Sequence, residues 1–187
     1  MSLRIISGLR RGALIETPEG METRPLRDRI RESLFNMLRP ELVGAVVLDA
    51  FAGSGAVGME ALSNRASQAL FCEQSPKASA VITQNLRKLR FDAQGTLLQG
   101  TVPAILSEIP KHANRLDFIF LMPPYHSNLC LAVLAAQPIQ TLAVPGQTTA
   151  ICEVHRDEPI PEHPAWKETD RREYGITRLL RLEFLGA

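Results

Sequence analysis

Val46, Val47, Leu48, Asp49, Ala50, Phe51, Ala52, Gly53, Ser54, Gly55, Ala56, Val57, Gly58 is the stretch that decides the fold of this 187-residue chain. Val46 to Ala50 reads as a buried strand with one acid near its end, the two glycines make a tight turn, and Val57 to Asn64 continues as a helix. Gly53 and Gly55 have no Cβ, so the backbone can bend sharply and a ligand can lie against it. Strand, glycine turn and helix in that order form the cofactor loop of an α/β protein, with Phe51, Ala52, Gly53, Ser54 and Gly55 as its lining.

The same rhythm repeats downstream. Strand-like runs at Leu70 to Cys72, Thr96 to Gln99, Phe118 to Leu121 and Thr149 to Val154 alternate with helical stretches at Pro76 to Leu89, Val102 to Ile109 and Asn128 to Ala136. Short loops join them, as a doubly wound sheet requires. The end differs: Trp166 to Glu173 and Ile176 to Phe184 are strand-like and separated only by Tyr174 and Gly175, too short for a crossover helix. An antiparallel pair at one sheet edge is expected.

With 45% hydrophobic residues, a chain of this length can bury a sizeable core. The longest apolar run, Leu129 to Ala136, falls far short of the roughly 20 residues that cross a bilayer, and the start lacks the apolar stretch of a secretory signal. The expectation is a cytoplasmic protein without membrane attachment. Cys72, Cys130 and Cys152 are odd in number, widely spaced and without nearby histidines in a ligand pattern, so neither a disulfide framework nor a metal site is expected.

Two acids give the loop its chemistry. Glu73 closes the second strand, where a carboxylate can accept two ribose hydroxyls. Nicotinamide dinucleotides use the same glycine spacing, but Asp49, four residues before the first glycine, favours a cationic ammonium and opposes a pyrophosphate. S-adenosylmethionine has the former and lacks the latter. After the third strand stand Gln99, Gly100 and Thr101, of which Thr101 is the candidate adenine contact. The alternatives are a plain strand-to-helix turn and a nicotinamide-dependent oxidoreductase.

The opening segment is basic. Arg4, Arg10, Arg11, Arg24, Arg27, Arg29, Arg31 and Arg39 precede Pro40, with no lysine among them, while the net charge of the whole chain is only +1. Arg4 to Ser7 and Ala13 to Thr17 flank a Gly8 to Gly12 turn and read as a small hairpin arm. Leu26, Ile30, Leu34 and Leu38 make one apolar helix stripe, with Pro25 in the first turn. The chain divides at residue 40 into a basic hairpin and helix (1–40) and a cofactor-binding domain (41–187). Arginine forks suit phosphate, although Asp28 with Arg31 and Arg29 with Glu32 are also spaced as solvated helix pairs.

After the fourth strand, Met122, Pro123, Pro124 and Tyr125 form a double-proline turn capped by an aromatic. The Asp-Ala-Phe-Ala-Gly-Ser-Gly loop and this Pro-Pro-Tyr turn resemble the amino-group methyltransferases. The front segment Thr23 to Asn36 and the tail Arg172 to Thr177 are similar to the RsmD-type methyltransferases that act on guanine N2 of 16S ribosomal RNA. That resemblance implies a Rossmann-like class I fold with a seven-stranded mixed sheet, S-adenosylmethionine as cofactor, and a monomer acting on the 16S rRNA of the 30S particle without a metal. It also implies that the basic hairpin and helix lie beside the cleft, placing Arg10, Arg11, Arg24, Arg27 and Arg31 along the RNA path. In the family an Asp or Asn before Pro-Pro, with a backbone carbonyl, accepts the hydrogens of the amine, and the aromatic stacks on the extruded base. Here Met122 holds that position, and a thioether is a poor acceptor. The departure leaves open a catalytically impaired relative that binds cofactor and RNA. Since Pro-Pro-Tyr turns also serve adenine and cytosine amines, a DNA amino-methyltransferase is a further alternative.

Overall fold

The computed structural model describes residues 2–18 and 25–186. β1 (Ser2–Arg4) and β2 (Leu14–Glu16) form a two-stranded hairpin, followed by α1 (Pro25–Leu38). The main body runs β3 (Val46–Asp49), α2 (Ala56–Ser63), β4 (Gln68–Glu73), α3 (Pro76–Leu89), β5 (Gly95–Gln99), β6 (Phe118–Leu121), α4 (Leu129–Leu134), α5 (Gln137–Leu142), β7 (Thr149–His155), β8 (Trp166–Tyr174) and β9 (Thr177–Phe184). Seven strands lie in the order β5-β4-β3-β6-β7-β9-β8. The first five are parallel; β9 is antiparallel to both β7 and β8. This is the expected Rossmann-like mixed sheet with its antiparallel edge pair.

The parallel strands are apolar on both faces because both faces are covered. On one side Leu48, Leu70, Ile119 and Cys152 pack against α4, α5 and a 3-10 segment at Ala104–Lys111. On the other, Val47, Phe71, Phe120 and Ile151 pack against α1, α2 and α3. Ile5 and Ile15 of the hairpin and Leu34, Phe35 and Leu38 of α1 belong to this second cluster. The described part of the hairpin and α1 therefore shares the main core.

Local rules explain the departures from the sequence reading. The stretch expected as one helix over Asn128 to Ala136 stops at Leu134; Ala136 is extended, and Pro138 sits in the first turn of α5. Proline fits a first turn and breaks an interior. The helix expected over Val102 to Ile109 is the 3-10 segment, with Pro110 inside it. By contrast α3 has the full set of end signals: Ser75 Oγ accepts from Ala78 N at 3.3 Å, Pro76 occupies the first turn, and Arg90 closes it in the left-handed region. Gly58 of α2 lies so close to β4 that a Cβ would stand 2.3 Å from the Phe71 ring.

The three cysteines are free and buried, and burial pushes the Cys72 thiol up to about 12. Among the described residues no helix is long and apolar enough to cross a membrane.

Candidate active site

The strand order reverses between β3 and β6, and open α/β sheets bind ligands at such a switch, outside the carboxyl ends of the strands. The glycine loop ends β3 and the Pro-Pro-Tyr turn ends β6, so the two motifs meet there.

Gly55 is the N-cap of α2 with φ +78°, and a Cβ on it would stand 2.9 Å from Met59 Cε. The left-handed backbone favours glycine at that position, while the methionine end could move aside. Glu73 is clasped by the loop: its Oε2 accepts from Gly53 N at 2.8 Å and its Oε1 from Ser75 N at 2.7 Å. Each oxygen keeps a second lone pair, which suits a carboxylate that also receives ribose hydroxyls. Ser54 is buried and its carbonyl accepts from Asn85 Nδ2 at 3.3 Å, tying the loop to α3. Ala52 is buried, Phe51 half-buried, and Thr101 exposed beyond β5.

Asp49, the acid expected beside the ligand, closes β3 directly before the loop. It is 2% exposed, and its Oδ2 accepts from Gly58 N at 3.0 Å, so it anchors the first turn of α2 beneath the loop. Burial pushes its carboxyl up to about 7, and the charge of Glu73 adds in the same direction. A pyrophosphate laid on this bend would meet two carboxylates, whereas a cation would relieve them. The residues present thus fit S-adenosylmethionine better than a dinucleotide.

Across the switch, Met122 is half-buried and packs against the apolar cluster that contains Phe120. Tyr125 is clamped: its hydroxyl donates to Glu153 Oε1 at 2.9 Å and lies 2.7 Å from Thr177 Oγ1, and its ring meets His155 edge-on with centroids 5.5 Å apart. His126 is exposed, and Glu158 holds the backbone N–H groups of His126 and His155, each at 2.7 Å. Pro123 and Pro124 border a pocket of about 390 Å³ that Glu153, Leu129 and Ile160 also line. The sequence reading missed Glu153 and Glu158. For Glu153 a signal was available, a single charge inside the apolar run of β7.

Of the arginines expected along the RNA path, Arg10, Arg11 and Arg31 are described, and their contacts lie elsewhere in the fold. Arg10 N donates to Ser63 Oγ at 2.9 Å and its Nε to Leu89 O at 2.8 Å, with the guanidinium 5.6 Å from the Phe91 ring centre. Ser63 and Leu89 are the last residues of α2 and α3, at the opposite ends of those helices from the glycine loop. Arg10 and the exposed Arg11 therefore sit away from the Pro-Pro-Tyr turn, a correction to their expected place. Arg31 is corrected too: it is 8% exposed, its Nη2 donates to Arg4 O at 2.9 Å, and its Nε lies 3.6 Å from Glu60 Oε1. It ties α1 to α2 and the hairpin inside the fold. Arg24, like the side chain of Arg27, lies outside the described residues.

A switch-point glycine bend flanked by acids, facing a Pro-Pro-Tyr turn, defines the class of Rossmann-like methyltransferases. The family model described as "Conserved hypothetical protein 95" matches residues 3–183. YlbH of Bacillus subtilis is 33% identical over 177 residues, 94% of this chain and 95% of that protein. Ribosomal RNA small subunit methyltransferase D of Haemophilus influenzae is 29% identical over 174 residues, 93% and 90% of the two chains. The solved structure of yhhF from Escherichia coli superposes over the full length of both chains with a TM-score of 0.82 at 26% identity. This chain belongs to that family, the RsmD-type ribosomal RNA methyltransferases.

Proposed function

We propose that this protein transfers a methyl group from S-adenosylmethionine to the exocyclic N2 amine of a guanine in 16S ribosomal RNA. One observation carries the reading: the acid-flanked glycine bend and the Pro-Pro-Tyr turn stand at the carboxyl ends of neighbouring strands β3 and β6. Glu73 would receive the ribose hydroxyls, Asp49 would favour the ammonium through its charge, and Ala52 to Gly55 would let the ligand lie close to the backbone. When bound, S-adenosylmethionine supplies an electrophilic methyl on a cationic sulfur, which is already an activated leaving group. The chain's own task is then orientation, which can carry much of the rate of such a reaction. A guanine amine is a weak nucleophile because its lone pair is shared with the ring, so its hydrogens must be accepted and its lone pair aimed. The carbonyls of Met122 and Pro123 would serve there, with Tyr125 against the flipped base.

Incubation with tritiated S-adenosylmethionine and 30S particles lacking the modification should label the 16S RNA; no transfer to the particle, or label only in DNA, removes this reading. The names of the relatives, which specify the small ribosomal subunit, favour RNA over DNA. A cytoplasmic monomer working on the particle belongs to the same proposal.

Met122 favours a second reading, a relative that binds cofactor and RNA without turnover. It predicts tight binding of both with transfer appearing only after Met122→Asp or Met122→Asn.

A further inference from the structure

Glu153 is a carboxylate for which the family motif has no use, yet it sits against both parts of the turn. It lies within β7 and is 7% exposed. Tyr125 donates to its Oε1 at 2.9 Å, and among the described residues it forms no ion pair. Charged side chains this buried are normally paired, and an ionised carboxylate offers about four acceptor positions. Among the described residues the Tyr125 hydroxyl is the one donor to its carboxylate, and Glu153 is one of the residues bordering the pocket of about 390 Å³ beside Pro123 and Pro124. That volume is within the range of small-ligand sites, about 300–1,000 Å³.

The position relative to Met122 matters as much. Strands β6 and β7 run parallel with Leu121 opposite Cys152. The next residues along, Met122 and Glu153, therefore project from the same face of the sheet. An acceptor stands one strand away from the place where the family's Asp or Asn has become methionine.

We propose that Glu153 binds the Watson–Crick edge of the target guanine, accepting from N1–H and from the N2 amine. Guanine presents two adjacent donors there, whereas adenine and cytosine present one donor beside a ring acceptor. A carboxylate has only acceptors, so it matches the first pattern and repels the second. Glu153 would then select the base and also supply the acceptor that Met122 cannot. Thr177, on the other side of the Tyr125 hydroxyl, keeps the aromatic in place while the carboxylate receives the base.

This inference rests on the methyltransferase reading, and the experiment separates the two. Single-turnover methyl transfer to 30S particles lacking the modification is measured for the natural chain and for Glu153→Gln, Glu153→Asp, Tyr125→Phe, Met122→Asp and the Tyr125→Phe/Glu153→Gln pair, with cofactor affinity and melting temperature recorded for each. The expected result is transfer by the natural chain and at least a hundredfold loss in Glu153→Gln. Glu153→Asp should recover part of that loss, with cofactor affinity kept within twofold. Adding Glu153→Gln to Tyr125→Phe should cost at least a further tenfold, because the carboxylate acts on the base and not only through the tyrosine hydroxyl. No further loss in that pair, or a loss matched by weaker cofactor binding, overturns the proposal. Transfer by Met122→Asp but not by the natural chain also overturns it and leaves the second reading, a relative that binds cofactor and RNA without turnover. Transfer by neither removes both.

Discussion

A cation seated on the glycine bend would draw Asp49 into its charged form. In the free protein burial holds that carboxyl near 7, so below this pH the group is mostly protonated and cation binding must expel a proton. Cofactor affinity should therefore rise with pH up to about 7 and level off above it, by no more than about tenfold per pH unit. Calorimetric titrations from pH 5.5 to 8.5 measure this, and Asp49→Asn should flatten the profile. Replacement of Met122 acts on the other reactant: Met122→Asn should raise the single-turnover rate on 30S particles about tenfold or more with cofactor affinity unchanged, since it returns an acceptor to the amine. At this scale the sequence was informative wherever a residue type has one strong chemical meaning. Glu73 and the Pro-Pro-Tyr turn are of that kind, the one held at the loop by Gly53 N and Ser75 N and the other ending the neighbouring strand. Arg31 and Glu153 are not, because an arginine can serve a phosphate or an internal carboxylate, and only the folded contacts show that Arg31 faces Glu60.

Among the elements, α2 depends on the absence of a side chain. Gly58→Ala would push a methyl group into the Phe71 ring, at 2.3 Å in the unrelaxed geometry. Overpacking of this kind typically costs ~1–3 kcal/mol. A urea melt of Gly58→Ala should show a loss of that size, and because α2 also carries Gly55, cofactor affinity should fall with it. Elements defined by their own residues were legible: β3, β6 and β7 as apolar runs, and α3 as the helical stretch Pro76 to Leu89. Elements that depend on proline placement or tertiary support were less so. The 3-10 segment and the break between α4 and α5 both follow from prolines whose effect on a marginal helix depends on packing. The hairpin could be read from Gly8 and Gly12, but its seat on the ends of α2 and α3 could not, because those contacts join residues more than 50 positions apart.

For the molecule as a whole, the N-terminal segment is bound into the core through a buried acid. Glu60 is fully buried, receives the N–H of Ile6 at 2.6 Å and pairs with Arg31, and burial pushes its carboxyl up to about 7. Both Glu60 and Asp49 have folded values above their unfolded ones, so between about pH 4.5 and 7 the folded chain holds more protons than the unfolded chain. By linkage their contribution is largest at the acid end of this window and is lost as pH rises through about 7, with a slope of up to ~1.4 kcal/mol per pH unit for each group. Urea melts of the ligand-free protein from pH 5 to 8 should show this decline, and Glu60→Gln should make it shallower. Sheet order is the property least open to sequence reading. That the final pair would be antiparallel followed from the short Gly175 turn, but that β9 inserts between β7 and β8, bringing Thr177 to Tyr125, is a long-range outcome. If this bend holds S-adenosylmethionine beside the tyrosine pocket, a crystal structure with that ligand should show the ribose on Glu73, the ammonium on the Asp49 side and the sulfur facing Tyr125; a bend left empty with the ligand bound elsewhere would contradict it.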